Sequence, residues 1–209
     1  MGPGPNGSSA CSPEHPRECD CATIPAIAKG KRTPGGLTFG STGTGTFTHI
    51  GGVAFSQAAG INAVHVPPLP TDSNADMIAN AVAGRFAFAF APISLALPHI
   101  RDGTLIALGV STASRSTVMP EVPTIAESGL QGFDFPIWYG LWVRAGTPEI
   151  VVAKIERGLD QVLTDPEMLD WISVHGGERF TMSRAEFAIF VRSESERAKR
   201  LVGGGDEHN

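Results

Sequence analysis

The feature that most restricts the fold is a set of short apolar runs, residues 61–66, 86–91 and 105–110, separated by stretches with the apolar period of a helix. The run F-A-F-A-F-A from Phe86 to Ala91 contains no polar residue, as a strand buried on both faces of a parallel sheet requires. An earlier strand is expected over Leu37 to Gly40, and Ile61 to Val66 is rich in β-branched residues. Between these two, Phe47, Ile50, Ala54 and Ala58 share one helical face. Asp72 or Ser73 supplies an N-cap for a helix reaching about Val82, with Gly84 past its end, and Ser94 to Ile100 forms a further short helix. Strands alternating with helices imply an α/β fold whose sheet is parallel or mixed, with right-handed crossovers. The chain has 25 Gly and 16 Pro in 209 residues, too many helix breakers for a coiled coil or simple helical bundle.

The character of the chain changes along its length. Residues 1–30 are dominated by Gly, Pro and Ser and read as an unpacked tail. Cys11, Cys19 and Cys21 lie there and with His15 spell C-x3-H-x3-C-x-C, the donor types of a Cys3His zinc site. The C-x2-C knuckle of such sites is missing, so a ligand-free tail is the main reading and zinc the alternative. Residues 31–142 form the α/β unit. Within it, residues 111–136 are loop-rich around a short helix from Thr124 to Gly129, and Ile137 to Val143 reads as an aromatic strand. Residues 143–209 hold three helices, opened by Thr147-Pro148, by Thr164-Asp165-Pro166 and by the capping box Ser183-x-x-Glu186. Their apolar faces (Val151, Ile155 and Leu159 on the first; Phe187 and Phe190 on the last) call for a sheet that the sequence hardly supplies.

Charge and hydropathy exclude two classes of partner. A formal net charge of −5 opposes a nucleic-acid binder held by phosphate contacts. The longest apolar stretch, Phe86 to Pro98, is 13 residues, whereas a spanning helix needs ~20. Residues 1–22 show neither the charged start nor the apolar core of a secretory signal.

The most chemically suggestive segment is Gly40-Ser41-Thr42-Gly43-Thr44-Gly45-Thr46, placed between a strand and a helix. Glycines permit a sharp turn and close approach of a ligand to peptide N–H groups, and the following helix adds free donors and its positive dipole end. A carboxylate or phosphate would be held there without Lys or Arg; the alternative is a plain turn with Ser/Thr caps. His49, one turn into the helix, is a candidate to face the anion. A dinucleotide site would need G-x-G-x-x-G and an acidic residue on the next strand, which here carries His65. A P-loop would need a lysine, and none lies between Lys31 and Lys154. The six histidines form no H-x-x-x-H pair, and no G-x-S-x-G elbow occurs. His99 is expected to serve a helix end, and Trp138 and Tyr139 to pack or to line a pocket.

Several stretches together carry a resemblance: residues 33–41 (T-P-G-G-L-T-F-G-S), G-x-G-x-x-x-H from Gly43 to His49, Val64-His65-Val66-Pro67, L-P-H-I-R-D-G from Leu97, P-E-V-P-T-I-A-E-S-G from Pro120, Trp138-Tyr139-Gly140-Leu141 and Ala145-Gly146-Thr147-Pro148. From about Thr23 to Val202 the chain resembles the tripartite tricarboxylate transporter receptors, the Bug-type periplasmic solute-binding proteins. The resemblance implies two α/β lobes closing on a small carboxylate that is delivered to membrane permease subunits. It implies no enzyme activity and no cofactor. Residues 36–142 would be the second lobe, with Ser41, Thr42, Gly43, Thr44, Gly45 and Thr46 as its carboxylate loop. Family members begin with a signal peptide and a whole first lobe, so a truncated member with weak affinity is expected, its C-terminal helices belonging to that other lobe. Pro67-Pro68-Leu69-Pro70 replaces the usual Pro-Tyr-Lys-Gly, and Ala91 replaces an Asp common in members that bind amino ligands. Both departures favour simple di- or tricarboxylates. A nucleotide-binding enzyme using the glycine turn and a non-functional fragment are the alternatives.

Overall fold

Three parallel strands in the order β2-β1-β3 organise the molecule: β1 is Leu37–Gly40, β2 Ala63–Val66 and β3 Phe88–Ala89. The computed structural model describes Ile24 and residues 36–68 and 73–203. Cys11, His15, Cys19, Cys21 and the alternative cap Asp72 lie outside the described residues. The central strand pairs over its whole length with β2, Phe39 opposite His65 and Gly40 opposite Val66, and over its last two residues with β3.

Helix α1 (Phe47–Ala59) follows β1 as its apolar period predicts, capped by Thr46, whose hydroxyl accepts the His49 N–H, and closed by Gly60 at φ 59°. It buries Thr48, His49, Gly51, Gly52, Ala54 and Phe55 against the sheet. Helix α2 (Asn74–Val82) starts at Ser73 with a reciprocal capping box to Asp76. Helix α3 (Ile93–Arg101) ends with His99 and Arg101 in its last turn, and the His99 ring meets the Thr104 hydroxyl at 3.3 Å.

The core is aromatic. Phe39 is 2% exposed and stacks on Phe88 at 5.7 Å, while Phe55 meets Phe88 edge-on at 5.2 Å. Ile61, Ile125, Phe133 and Phe135 complete this cluster, and Val110, Met119 and Val122 form a smaller one beside α3. Two glycines allow the close approaches. A Cβ on Gly52 would lie 2.3 Å from the Phe39 ring, and one on Gly40 2.2 Å from Phe86. Phe86 is only half-buried and has room to turn away, whereas Phe39 is locked in the core. Gly52→Ala is therefore expected to destabilise by about 1–3 kcal/mol through overpacking. Urea denaturation checks this, and a midpoint equal to that of the parent would show that α1 does not press on Phe39.

Three expected elements take other forms. Leu105 to Val110 is not a strand: only Val110 pairs, in an isolated parallel bridge to Thr124, and Ile106 is 55% exposed. The apolar run meets no neighbour that continues the ladder, because β3 itself is two residues long. Thr124 to Gly129 is a single hydrogen-bonded turn, held by Thr124 N–H to Glu127 Oε2 at 2.8 Å and Glu127 N–H to Thr124 Oγ1 at 3.0 Å, and it ends where Gly129 takes φ 113°. Ile137 to Val143 is irregular and pairs with no strand among the described residues. Its Trp138 packs on Phe187 and Phe190 at 5.9 and 5.2 Å, so its apolar side meets a helix and not a sheet.

That helix is α6 (Arg184–Gly203), preceded by α4 (Glu149–Thr164) and α5 (Pro166–Val174). Helix α4 is capped at Pro148, one residue later than expected, because the Thr147 hydroxyl donates backwards to the Arg144 carbonyl at 2.7 Å. Asp165 caps α5, with Pro166 in its first turn, and Ser183 and Glu186 form the expected reciprocal bonds at the start of α6. Arg184 grips Glu149 and Glu156 at 2.8 and 2.7 Å, which sets α6 against α4. The far end of α6 returns to the sheet layer. Leu201 packs on the core, Gln57 Nε2 donates to its carbonyl at 3.1 Å, and the Arg197 guanidinium lies 5.4 Å over the Phe135 ring and donates to the Asp134 carbonyl.

Candidate functional site

The turn between β1 and α1 leaves the carboxyl end of the central strand, from which the chain crosses first to β2 on one side and then to β3 on the other. Ligands of open parallel sheets bind in the crevice at this kind of switch point. Ser41 is buried at the strand end, Thr44 and Gly45 stand exposed at the tip, and Thr48 and His49 are buried again in the first turn of α1. Gly43 and Gly45 take φ 132° and 80°, which folds the segment back onto the helix start.

Hydroxyls hold the inside of the turn. The Thr42 N–H donates to Thr48 Oγ1 at 3.0 Å and the Gly43 N–H to Ser41 Oγ at 3.1 Å. Thr46 Oγ1 donates to the Gly43 carbonyl at 2.6 Å, and the Thr42, Thr46 and Thr48 hydroxyls lie 3.0 to 3.3 Å apart. Of the seven expected anion-binding residues, Ser41, Thr42, Gly43, Gly45, Thr46 and His49 are engaged within the turn, and Thr44 keeps an unengaged N–H that is joined by those of Phe47 and Thr48, which the sequence reading did not name. Ser41, Thr42 and Thr46 spend their side chains on the turn itself. The N–H groups of Thr44, Phe47 and Thr48 have no acceptor among the described residues. Donors at a helix N-terminus, with its positive dipole end, are groups of the kind that hold an anion without a cationic side chain.

His49 does not face outward as a free donor. Its Nδ1 accepts the Gly45 N–H at 3.3 Å, so that nitrogen carries no proton. Its ring meets His65 edge-on at 4.5 Å, and His65 Nε2 lies 2.6 Å from Ser41 Oγ. Both rings rest against Phe39, at 6.0 and 5.1 Å. Burial holds both imidazoles below the usual histidine range, and His65 is lowered further by His49 beside it. Sequence reasoning missed His65 as a site residue. The available signal was a polar residue within an apolar strand, set directly beside the strand that feeds the turn.

A serine hydroxyl 2.6 Å from an imidazole has the spacing of a nucleophile and its base. Here Ser41 is 3% exposed and already accepts the Gly43 N–H, and the group next to His65 is another histidine, where a triad has a carboxylate. The pair is built to hold a turn. Beside it a cavity of about 110 Å³ is lined by Ser41, Val66, Met77, Asn80, Arg85 and Phe86, with Arg85 its one charged wall among the described residues. Trp138 is committed to the α6 aromatic cluster and Tyr139 is 83% exposed, so neither lines this site.

Comparison with known proteins shows the family and the fold. The chain is 29% identical over 173 residues to the UPF0065 protein in the tcbD-tcbE intergenic region of Pseudomonas sp. (strain P51), covering 82% of this chain and 51% of that protein. It therefore spans about half the length of that relative. Among solved structures, it is similar to Rpa4515 of R. palustris with adipate, with a TM-score of 0.77, 21% identity and coverage of 90% of this chain and 63% of that one. It is likewise similar to MatC of Rhodopseudomonas palustris with bound malate, with a TM-score of 0.75, 22% identity and coverage of 91% and 64%. These likenesses show a shared fold. Residues 20–204 match the model of the tripartite tricarboxylate transporter family receptor, and the chain belongs to that family.

Proposed function

We propose that residues 31–142 are the carboxylate-gripping lobe of a periplasmic receptor that presents a small di- or tricarboxylate to the membrane permease subunits of a tripartite tricarboxylate transporter. The observation that carries this reading is the set of open N–H groups of Thr44, Phe47 and Thr48 at the carboxyl end of β1. Ser41, Thr42, Gly43, Gly45 and Thr46 shape the turn that presents them, and His49 fixes it from behind. The role is binding and release, without catalysis. Adipate and malate in the two structural neighbours are ligands of the same chemical class. Ala91, two residues past β3, brings no carboxylate to the strand ends, which suits a ligand without a cationic group.

Residues 143–209 in this reading contribute to the other, first lobe. Helices α4, α5 and α6 bury no residue fully, and Ile150, Trp171 and Ile189 are each more than half exposed. Surface of that kind fits a partner element of the receptor.

Calorimetric titration of the full chain with adipate, malate, succinate and citrate, with glutamate for comparison, tests the proposal. Saturable binding of the simple carboxylates in preference to glutamate is expected. No heat with any of the five would overturn it.

A further inference from the structure

The two histidines do more than fill space, and their chemistry differs. His49 is tied by its Nδ1 to the Gly45 N–H, so a proton on that atom would set two donors against each other at 3.3 Å and loosen the turn. The turn as it stands needs His49 neutral. His65 has no such conflict. Its Nε2 faces Ser41 Oγ, an atom that can either donate to the ring or accept from it.

The choice matters outside the pair. When Ser41 donates to a neutral His65, its only hydrogen points inward. When His65 carries a proton on Nε2, Ser41 Oγ accepts from both His65 and the Gly43 N–H, and its own hydrogen is released toward the turn and the adjoining cavity. The neutral Nε2–H tautomer orients Ser41 in the same way; only when Nδ1 is protonated as well does the ring add a positive charge beside the turn.

The groups that face His65 are few. On β1 they are Phe39 and Ser41, neither of them charged. On α1 the titratable neighbour is His49, and Arg85 from the loop before β3 stands on the Ser41 side of the cavity. No carboxylate among the described residues contributes to the proton affinity of either ring. Without a bound anion, a proton on His65 is therefore uncompensated, and a ligand carboxylate would be the missing counter-charge.

We infer that carboxylate capture by the turn is coupled to uptake of one proton by His65, with His49 acting as a positioning residue that stays neutral. This inference rests on the carboxylate reading and adds a regulatory property to the same site. Burial lowers the affinity of His65 for a proton before the ligand arrives. The linkage sign follows: the ligand raises the affinity of His65 for the proton, so binding tightens as pH falls.

Calorimetry of the full chain with adipate, repeated in buffers of different ionisation enthalpy, measures the proton directly. For a roughly tenfold tighter hold of His65 on its proton in the complex, affinity is expected to rise as pH falls from about 8, severalfold by about pH 6, and to approach tenfold only at pH below the lowered pKa of the free chain's His65. A buffer-dependent heat of proton uptake should accompany the rise. His65→Gln cannot ionise and is expected to erase both effects, whereas His49→Asn keeps an acceptor for Gly45 and is expected to retain them. A flat profile with buffer-independent heats in the parent would overturn the coupling while leaving the carboxylate reading intact. So would a pH dependence that survives in His65→Gln. Absence of binding at every pH would overturn both.

Discussion

Phe39→Ala is expected to lower the stability of the chain by about 3–5 kcal/mol, the range for truncating a fully buried phenylalanine. The ring is 2% exposed and lies where β1, β3 and α1 converge. Phe88 stacks on one side and the glycine face of α1 presses at Gly52 on the other, with no flexible neighbour to collapse into the space. Small domains are stable by only about 5–15 kcal/mol, so the loss takes a large share of the total. The same ring is the floor under His49 and His65. Truncation should therefore also weaken the two histidine contacts that hold the turn, and carboxylate affinity should drop in the fraction that remains folded. Urea unfolding followed by circular dichroism measures the first effect, and the denaturation midpoint should fall with little change in slope. A loss below about 1 kcal/mol would show that α1 and the sheet do not meet at Phe39.

How much of the molecule is legible in its sequence depends on how local each feature is. Strand β1, the glycine turn, helix α1 and the Ser73 and Ser183 caps are set by residues within a few positions of one another, and all stand where the spacing puts them. Leu105 to Val110 has the composition of a strand but lacks a partner, and pairing is not a property of the segment alone. Ile137 to Val143 departs from a strand for a related reason. Of its aromatic side chains only Trp138 is half-buried, Tyr139 and Trp142 being mostly exposed, and Gly140 lets the Phe187 ring lie against the backbone, so what Trp138 packs on is a helix some 50 residues later. The division of labour inside the turn is hidden as well. Composition shows four hydroxyls and a histidine but not which are consumed internally, and the role of His65 depends on the register that sets it opposite Phe39. The packing of the α6 end onto Phe135 and Gln57 is equally beyond local pattern.

The turn offers a matched comparison that separates strain from binding. Gly45 and Gly146 have nearly the same backbone, φ 80° and 83°, and a Cβ on either would meet nothing within 4 Å. A β-branched residue is strained at such angles by about 1–3 kcal/mol wherever it occurs. Gly45→Val and Gly146→Val should therefore cost similar stability. Their effects on binding should diverge. Gly45 stands exposed at the tip of the turn beside Thr44, and its N–H is held by His49. Gly146 precedes α4 and touches none of these groups. If the strain at Gly45 is relieved by releasing the His49 bond, the donors lose alignment, and adipate affinity should fall by roughly 30- to 100-fold, the equivalent of about 2–3 kcal/mol. Gly146→Val should bind as the parent does. Equal affinities in the two variants would mean that the carboxylate is held elsewhere, and the cavity walled by Arg85 would be the next place to look.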